Sequence, residues 1–265
     1  EHVTRHMIYS RFWHHFLYDI GAVNTPEPYA KRSAQGLILG PDGAKMSKSK
    51  GNVVDPLVVA DQYGADTLRT YIMFMGDYGA STPWNDNAVK GCKRFLDRVF
   101  KLSESVTDAG TPELDNPLHK TIKKVTSDIE DMKYNTAIAA LMALINDFEA
   151  APSVGKEQYK LFIKLLCPFA PHVCEEIWES LGCEGFVSVA QWPKYDEALA
   201  ADATIEIGVQ VNGKMRDTVR LAVDADETAA VAEAVKLPKV AAFTDGKQIV
   251  KVIYKPGKIL NIIAK

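Results

Sequence analysis

The sequence lacks the features of a membrane protein, a disulfide-stabilised domain or a zinc module. No apolar run approaches the roughly 20 residues that a membrane span needs. The chain has only four cysteines, none of them in a C-x-x-C pair, which is typical of reduced, buried thiols in a cytosolic protein. Its net charge is only −3, so contact with nucleic acid would need a local basic patch. The chain starts at Glu1 with neither a methionine nor a signal peptide, and we expect a piece of a longer protein.

The hydrophobic pattern changes twice along these 265 residues. Residues 1–20 have the apolar spacing of a helix, and from Asp86 the apolar residues recur at steps of three and four. This spacing predicts an antiparallel helical bundle over residues 84–182. From Thr204 the residues alternate, and Asn212-Gly213 predicts a hairpin. A helix ended by Pro238 and a second hairpin then complete a small α+β domain.

A lysine-rich segment carries the chemical signal. It reads Lys45-Met46-Ser47-Lys48-Ser49-Lys50-Gly51-Asn52 and follows a predicted turn. It is too polar and too small to pack, so we expect a mobile loop. Three ammonium groups this close repel one another unless an anion lies among them, and the small residues let backbone N–H groups approach that anion. The segment therefore predicts a polyphosphate site, although a solvated basic loop would share this composition.

Lys45–Ser49 is identical to the K-M-S-K-S signature of the class I aminoacyl-tRNA synthetases. The resemblance implies that the loop holds the β- and γ-phosphates of ATP while an amino-acid carboxylate attacks the α-phosphate. By resemblance, Lys45, Met46, Ser47, Lys48 and Ser49 bind ATP, and Lys45 and Lys48 are the catalytic cations. Mg²⁺ is implied with ATP. We expect no tightly bound cofactor and no dedicated metal site.

Other segments resemble the leucyl-tRNA synthetase family within this class. Pro168–His172 with Glu175–Trp178 resembles its last bundle helix, and Val209–Lys214 with Pro256–Lys258 resembles its small C-terminal domain. Glu1, His2 and His6 resemble the E-H-x-x-x-H helix that lines its leucine and adenylate pocket. From the residues alone, His2 and His6 would be ordinary surface histidines or, at a spacing of four, metal ligands.

The resemblance implies a fold class and a domain organisation. The fold would be multidomain and mainly α. Residues 1–82 would be the tail of a class I nucleotide-binding α/β fold, residues 83–200 an α-helical anticodon-binding-type bundle, and residues 201–265 a small α+β tRNA-binding domain. Nothing matches the His-Ile-Gly-His signature of the first catalytic half or the editing domain. We therefore expect this chain alone to be inactive.

The parent enzyme would activate leucine with ATP and transfer it to tRNA(Leu) in the cytoplasm, without contact with a membrane. Its partners would be ATP, leucine, tRNA(Leu) and the missing N-terminal half of the same protein. Valyl- or isoleucyl-tRNA synthetase is the alternative within the class. A non-catalytic tRNA-binding module, whose loop lysines meet only RNA phosphates, is the alternative outside it.

Residues 204–265 carry ten Lys and Arg against seven Asp and Glu. The resemblance assigns phosphate contacts with tRNA to Lys247, Lys251, Lys255 and Lys258. A solvated edge strand would also be rich in lysine. The lysines at a spacing of four share the parity of Ile249 and Ile253, so we expect a β-bulge or an edge position here.

Overall fold

The computed structural model describes residues 3–201 and 204–265. Its architecture confirms the multidomain, mainly helical class predicted from the sequence. None of the described helices combines the length and apolarity needed to cross a membrane. The described α-helices are α1 (Ile8–Asp19), α2 (Pro56–Tyr63), α3 (Ala65–Phe74), α4 (Asp86–Ser103), α5 (Asp115–Glu130), α6 (Tyr134–Ala150), α7 (Lys156–Leu166), α8 (Pro171–Ser180), α9 (Glu197–Ala200), α10 (Glu227–Ala234) and α11 (Pro238–Thr244).

The strands form two sheets and the chain forms two compact units. The described strands are β1 (Ile38–Leu39), β2 (Thr82–Pro83), β3 (Thr204–Val211), β4 (Lys214–Ala222), β5 (Ile249–Lys255) and β6 (Ile259–Ala264). The first unit comprises residues 1–104, 125–145 and 163–190, and the second comprises 105–124, 146–162 and 191–265. The domain boundaries expected from the sequence, after residues 82 and 200, stay a prediction.

The core of the first unit that lies nearest the lysine-rich loop is a cluster of five buried residues. These are Val59, Tyr71, Trp84, Val89 and Cys92. The rings of Tyr71 and Trp84 meet edge-on with their centroids 4.8 Å apart, and the indole N–H donates to Asp86 at 2.7 Å. Trp84 therefore anchors this cluster through both its ring and its indole N–H.

Two very short strands also belong to the first unit. β1 and β2 pair in parallel, with Ile38 opposite Thr82. Strands of two residues have no usable period, so the sequence pattern does not reveal this pair. The pairing matters for function because the lysine-rich loop begins directly beyond β1.

A buried carboxylate connects α3 with α8 inside the first unit. Asp66 is 5% exposed and accepts the backbone N–H of Val173 at 2.7 Å. Its other oxygen lies 2.8 Å from Nδ1 of His172. The N-cap residue of α8 is Ala170, whose side chain forms no capping hydrogen bond. Asp66 on α3 therefore accepts the N–H group that an N-cap side chain would otherwise accept.

The cysteines confirm the expectation of free, mostly buried thiols. Cys92, Cys167 and Cys174 are buried and Cys183 is half-buried, and no disulfide links them. Burial raises the pKa of the Cys92 and Cys167 thiols to about 11 in each case. Burial likewise raises the pKa of Cys174 well above its ordinary value. These three thiols therefore stay protonated and unreactive at neutral pH.

The second unit contains an aromatic cluster and the four-stranded sheet. Phe148, Tyr159 and Phe162 are fully buried, and Phe148 and Phe162 have ring centroids 5.7 Å apart. The sheet order is β4-β3-β6-β5, with antiparallel outer pairs and a parallel central pair of β3 and β6. Helices α10 and α11 pack against this sheet, with Val209 and Leu260 fully buried between the layers.

Both predicted hairpins are present, and one helix was missed. Asn212 and Gly213 have φ of 52° and 76°, as a tight turn between β3 and β4 requires. Pro238 was expected to end a helix, but it begins α11. Proline has no N–H to lose at the first helical position, and Leu237 before it is extended, as an N-cap should be.

Candidate functional site: a lysine-rich loop beyond strand β1

The lysine-rich loop leaves β1 through a tight turn. The N–H of Gly40 donates to the carbonyl of Ala44 at 2.8 Å, and Leu39 bridges back to Lys45. Gly43 in this turn has a φ of 73°, in the left-handed region that favours glycine. The turn places the first loop lysine next to the end of the strand.

The loop backbone is regular at its centre. Ser47 is extended, Lys48–Lys50 form one 3₁₀ turn, and Gly51 has a φ of 66°. The hydroxyls of Ser47 and Ser49 share a hydrogen bond of 2.8 Å. The two serines therefore support the turn from which the side chain of Lys48 projects.

The side chain of Asn52 holds the two halves of the loop together. Its oxygen accepts the N–H of Ser47 at 2.8 Å, and its nitrogen donates to both oxygens of Asp42 at 3.1 Å and to the carbonyl of Lys45 at 3.4 Å. Neither Asn52 nor Asp42 was singled out from the sequence. The available signal was an Asn that directly follows a Gly at the end of the lysine-rich segment.

The reason given for a mobile loop is partly wrong. The loop was expected to lack any apolar anchor, but Met46 packs against the cluster of Tyr71 and Trp84. A single unbranched side chain can reach a neighbouring core from an otherwise polar segment. The mobility expected for the loop as a whole, residues 44–51, stays a prediction.

The lysine-rich loop carries three lysines on an exposed surface. Lys45, Lys48 and Lys50 are exposed, while Ser47 is half-buried. Asn52 donates a hydrogen bond that holds the pKa of the Asp42 carboxyl below its usual range, and Lys50 adds a smaller attraction. The Asp42 carboxylate is thus hydrogen-bonded to Asn52, and the side chains of Lys48 and Lys50 are exposed to solvent.

The helix after the loop does not add an open anion site. Asp55 caps α2, and its carboxylate accepts the N–H of Leu57 at 2.9 Å. Pro56 at the first position has no N–H to offer. The Asp55 carboxylate therefore occupies the positive end of this helix.

The predicted amino-acid pocket can be followed only through His6. Glu1 and His2 lie outside the described residues, and His6 is exposed on a π-helical turn, Val3–Met7. α1 follows this turn and buries none of its residues. The segment after α1 is hydrogen-bonded to this helix, because the hydroxyl of Tyr29 donates to the hydroxyl of Ser10 at 2.7 Å. Phe12 on this helix is 71% exposed.

The predicted tRNA-binding lysines surround one edge strand. Lys251 and Lys255 lie on the outer side of β5, whereas Val252 and Tyr254 pack on the buried core. Lys247 precedes the strand and Lys258 lies in the turn after it. The register shifts between Ile249 and Lys251, and β5 is at the edge of the sheet, so both the bulge and the edge position are confirmed. All four ammonium-bearing side chains are exposed.

Within residues 3–201 and 204–265, no group of three or more His, Cys, Asp or Glu residues could hold a metal ion.

Two protein families match parts of the chain. Residues 8–85 match tRNA synthetases class I (I, L, M and V), and residues 113–232 match the anticodon-binding domain of tRNA ligase. The first match contains the whole lysine-rich loop.

Proteins named leucine–tRNA ligase match over the whole chain. The protein of Alkaliphilus oremlandii is 50% identical over 267 residues, which cover 100% of this chain and 33% of that protein. The protein of Bdellovibrio bacteriovorus is 49% identical over 272 residues, which cover 100% and 34%. The chain thus spans about a third of the length of these curated relatives.

A solved structure also aligns with the full chain. It is the crystal structure of the ternary LeuRS–tRNA–LeuAMS complex of Agrobacterium radiobacter K84 (agnB2). The TM-score is 0.75 at 32% identity, and the alignment covers 100% of this chain and 37% of that chain.

Proposed function

We propose that this chain belongs to the leucine–tRNA ligase family of class I aminoacyl-tRNA synthetases. The whole protein would then join leucine to tRNA(Leu) in a reaction that consumes ATP. The chain would supply the loop that holds the phosphates of ATP and the surfaces that bind tRNA. One observation carries the proposal. The loop presents Lys45 and Lys48 to solvent on a backbone that Asn52 and the two serines hold in one conformation.

The reaction explains why cations are needed at this place. An oxygen of the leucine carboxylate bonds to the α-phosphorus, while the bond from that phosphorus to the bridging oxygen breaks. Pyrophosphate leaves with the electron pair and gains negative charge as the bond lengthens. An ammonium group held beside it stabilises the transition state more than the ground state, which lowers the barrier.

We assign Lys48 as the cation closest to the departing phosphates and Lys45 as the second. Met46, Ser47 and Ser49 complete the ATP-binding segment, Met46 through packing and the serines through the turn they brace. Mg²⁺ would arrive with ATP and neutralise part of its charge. The exposed lysines and small residues of the loop suit such a Mg²⁺–polyphosphate substrate.

A lysine substitution tests the assignment. In the whole protein, Lys48→Ala should slow leucine-dependent pyrophosphate exchange by about 10²–10³-fold, the usual loss for one preorganised electrostatic donor. The KM for leucine should change little because the ammonium faces phosphate. Lys101→Ala, which removes an exposed lysine at the end of α4, is the control. Equal rates for the two variants would refute the role of Lys48.

The tRNA contacts belong to the same proposal. Lys247, Lys251, Lys255 and Lys258 would bind backbone phosphates of tRNA(Leu), because they are exposed together on and around β5. Phosphate contacts position the RNA without reading its sequence. Residues 83–200 would form the anticodon-binding-type domain.

The amino-acid pocket would need parts outside this chain. Glu1, His2 and His6 would form one polar wall, and the remaining catalytic half would supply the rest. The chain alone should therefore show no leucine-dependent pyrophosphate exchange. Exchange by the chain alone at the rate of the whole protein would contradict this division of the site.

The alternatives differ in simple assays. Valine or isoleucine in place of leucine as the preferred substrate would make the protein a valyl- or isoleucyl-tRNA synthetase. Binding of tRNA without any amino-acid-dependent exchange by the whole protein would indicate a tRNA-binding module. The cytoplasmic location expected from the sequence stays a prediction.

A further inference from the structure

The side chain of Asn52 forms hydrogen bonds with several parts of the lysine-rich loop. Its single carboxamide reaches the turn at Asp42, the carbonyl of Lys45 and the N–H of Ser47. These three points precede Lys48 in sequence. The contacts fix the backbone on which Lys48 stands, while Asn52 itself is only half-buried.

The contacts fix which end of the carboxamide points where. The nitrogen faces the Asp42 carboxylate and the Lys45 carbonyl, both of which accept hydrogen bonds, and the oxygen faces the N–H of Ser47. The opposite orientation would set oxygen against oxygen on one side and N–H against N–H on the other. The position therefore demands a side chain with one donor end and one acceptor end.

The main chain at Gly40 lies directly against the side chains of Asp42 and Asn52. A Cβ atom placed on Gly40 would lie 2.6 Å from Oδ1 of Asp42 and 2.8 Å from Nδ2 of Asn52. Such distances are too short for real contacts. The hydrogen bond between Asp42 and Asn52 is therefore packed directly against the main chain that leaves β1.

We propose that Asn52 is a positioning residue: its carboxamide, oriented by Asp42, locks the backbone from Lys45 to Ser47 and so presents Lys48 to the phosphates of ATP. This inference rests on the proposed function of the loop. Asn52 acts through the loop backbone. A loop backbone that is ordered before the nucleotide binds loses less conformational entropy on binding and on reaching the transition state.

Substitutions of Asn52 in the whole protein test the proposal. Asn52→Ala and Asn52→Asp should each lower kcat for leucine-dependent pyrophosphate exchange by about 10–100-fold, as small misplacements of a catalytic group do. The KM for leucine should stay within about twofold, because the leucine pocket does not depend on this loop. Asn87→Asp changes an exposed asparagine on α4 and should keep the full rate.

A charge exchange separates positioning from general damage. Asn52→Asp sets two carboxylates against each other, and Asp42→Asn sets two carboxamides together. In the double variant, Asn at 42 can donate to Asp at 52, whose other oxygen still accepts the N–H of Ser47. The double variant should run at least about tenfold faster than Asn52→Asp. Full recovery is not expected, since the carbonyl of Lys45 would then face an oxygen. A double variant no faster than the slower single variant would overturn the proposal.

Hydrogen exchange in the absence of ATP distinguishes this inference from the function itself. The amide of Ser47 should exchange at least about tenfold faster in Asn52→Ala, because its acceptor is gone, and at the original rate in Lys48→Ala. If Lys48→Ala keeps full activity while the Ser47 amide loses protection in Asn52→Ala, the proposed ATP role fails and the lock stands. If Lys48→Ala is slow but Asn52→Ala changes neither the amide nor kcat, the lock alone is refuted.

Discussion

At the scale of the residue, Asp66 shows how one carboxylate can fix a helix that is remote in sequence. It sits at the start of α3, with only α2 between it and the loop, and accepts a hydrogen bond at the start of α8 more than 100 residues later. Arg69, one turn further along α3, donates to the carbonyl of Pro168 at 3.0 Å. Two side chains of α3 thus bind the segment that enters α8.

Removal of this cap should destabilise the protein measurably. In Asp66→Ala, the N–H of Val173 would lose its acceptor in a partly buried place, which costs about 1–3 kcal/mol of the free energy of unfolding. Urea unfolding measures the loss. Asp61→Ala, at an exposed position on α2, should cost far less. Equal losses in the two variants would mean that the cap contributes nothing.

At the scale of the element, Glu175 connects α8 with the 3₁₀ turn Val187–Val189 that follows it. Its carboxylate accepts the N–H groups of Val187 at 2.9 Å and Ser188 at 3.0 Å. Burial alone would raise the pKa of this carboxyl, but the hydrogen bonds from Ser188 and Val187 outweigh it and lower the pKa below its ordinary value. The ionised form is therefore favoured by folding.

The lowered pKa of Glu175 gives a pH-dependent prediction. Stability from this carboxylate is present above its ordinary pKa and is lost as the pH falls through the lower pKa of the folded state. Glu175→Gln keeps one acceptor oxygen, so it should cost about 1 kcal/mol near neutral pH, and less near pH 3. Urea unfolding at the two pH values checks this. Glu176→Gln, at the exposed neighbour, is the control, and a difference independent of pH would contradict the prediction.

Local patterns predicted the elements well. Val89, Cys92, Leu96 and Val99 are all buried on α4, as their spacing indicated, because a helix repeats its inner face within a few residues. The hairpin at Asn212-Gly213 also follows from two adjacent residues.

Contacts between distant residues could not be predicted in the same way. The pairing of β1 with β2 joins residues 44 positions apart over two-residue strands that carry no period. The bond between Asp66 and His172 spans 106 positions. In the candidate site, the signature identified Lys45 to Ser49, but it could not reveal that Asn52 and Asp42 hold them, because hydrogen-bond partners of a loop depend on its folded geometry.

At the scale of the whole molecule, positive charge is concentrated in the sheet domain. The described residues after Asp245 include five lysines and no acidic residue. Lys251 and Lys255 project from β5 on the side away from the packed core, where they would be available to a polyanion.

Loss of this charge should change how salt affects tRNA binding. With Lys251, Lys255 and Lys258 replaced by Ala, tRNA(Leu) should bind more weakly, and each lost contact should remove about 0.7–0.9 from the slope of log K against log salt concentration. Pyrophosphate exchange should survive because the lysine-rich loop is unchanged. A variant with Lys236 and Lys239 replaced instead should keep the slope. An unchanged slope in the triple variant would show that these lysines do not bind phosphates and are only solvated side chains of an edge strand.

The parallel pairing of β3 with β6 also bears on how the sheet domain is made on the ribosome. Gly208 lies opposite Ile259, so about 50 further residues must be synthesised before the partner of this edge of β3 exists. At about 5–20 residues per second, this interval lasts about 3–10 seconds. During that time the nascent hairpin exposes unpaired backbone groups beside Ile207, Val209 and Val211, which favours pairing with other chains. Helices α10 and α11 are synthesised within the interval and can cover one face of the hairpin before β6 emerges.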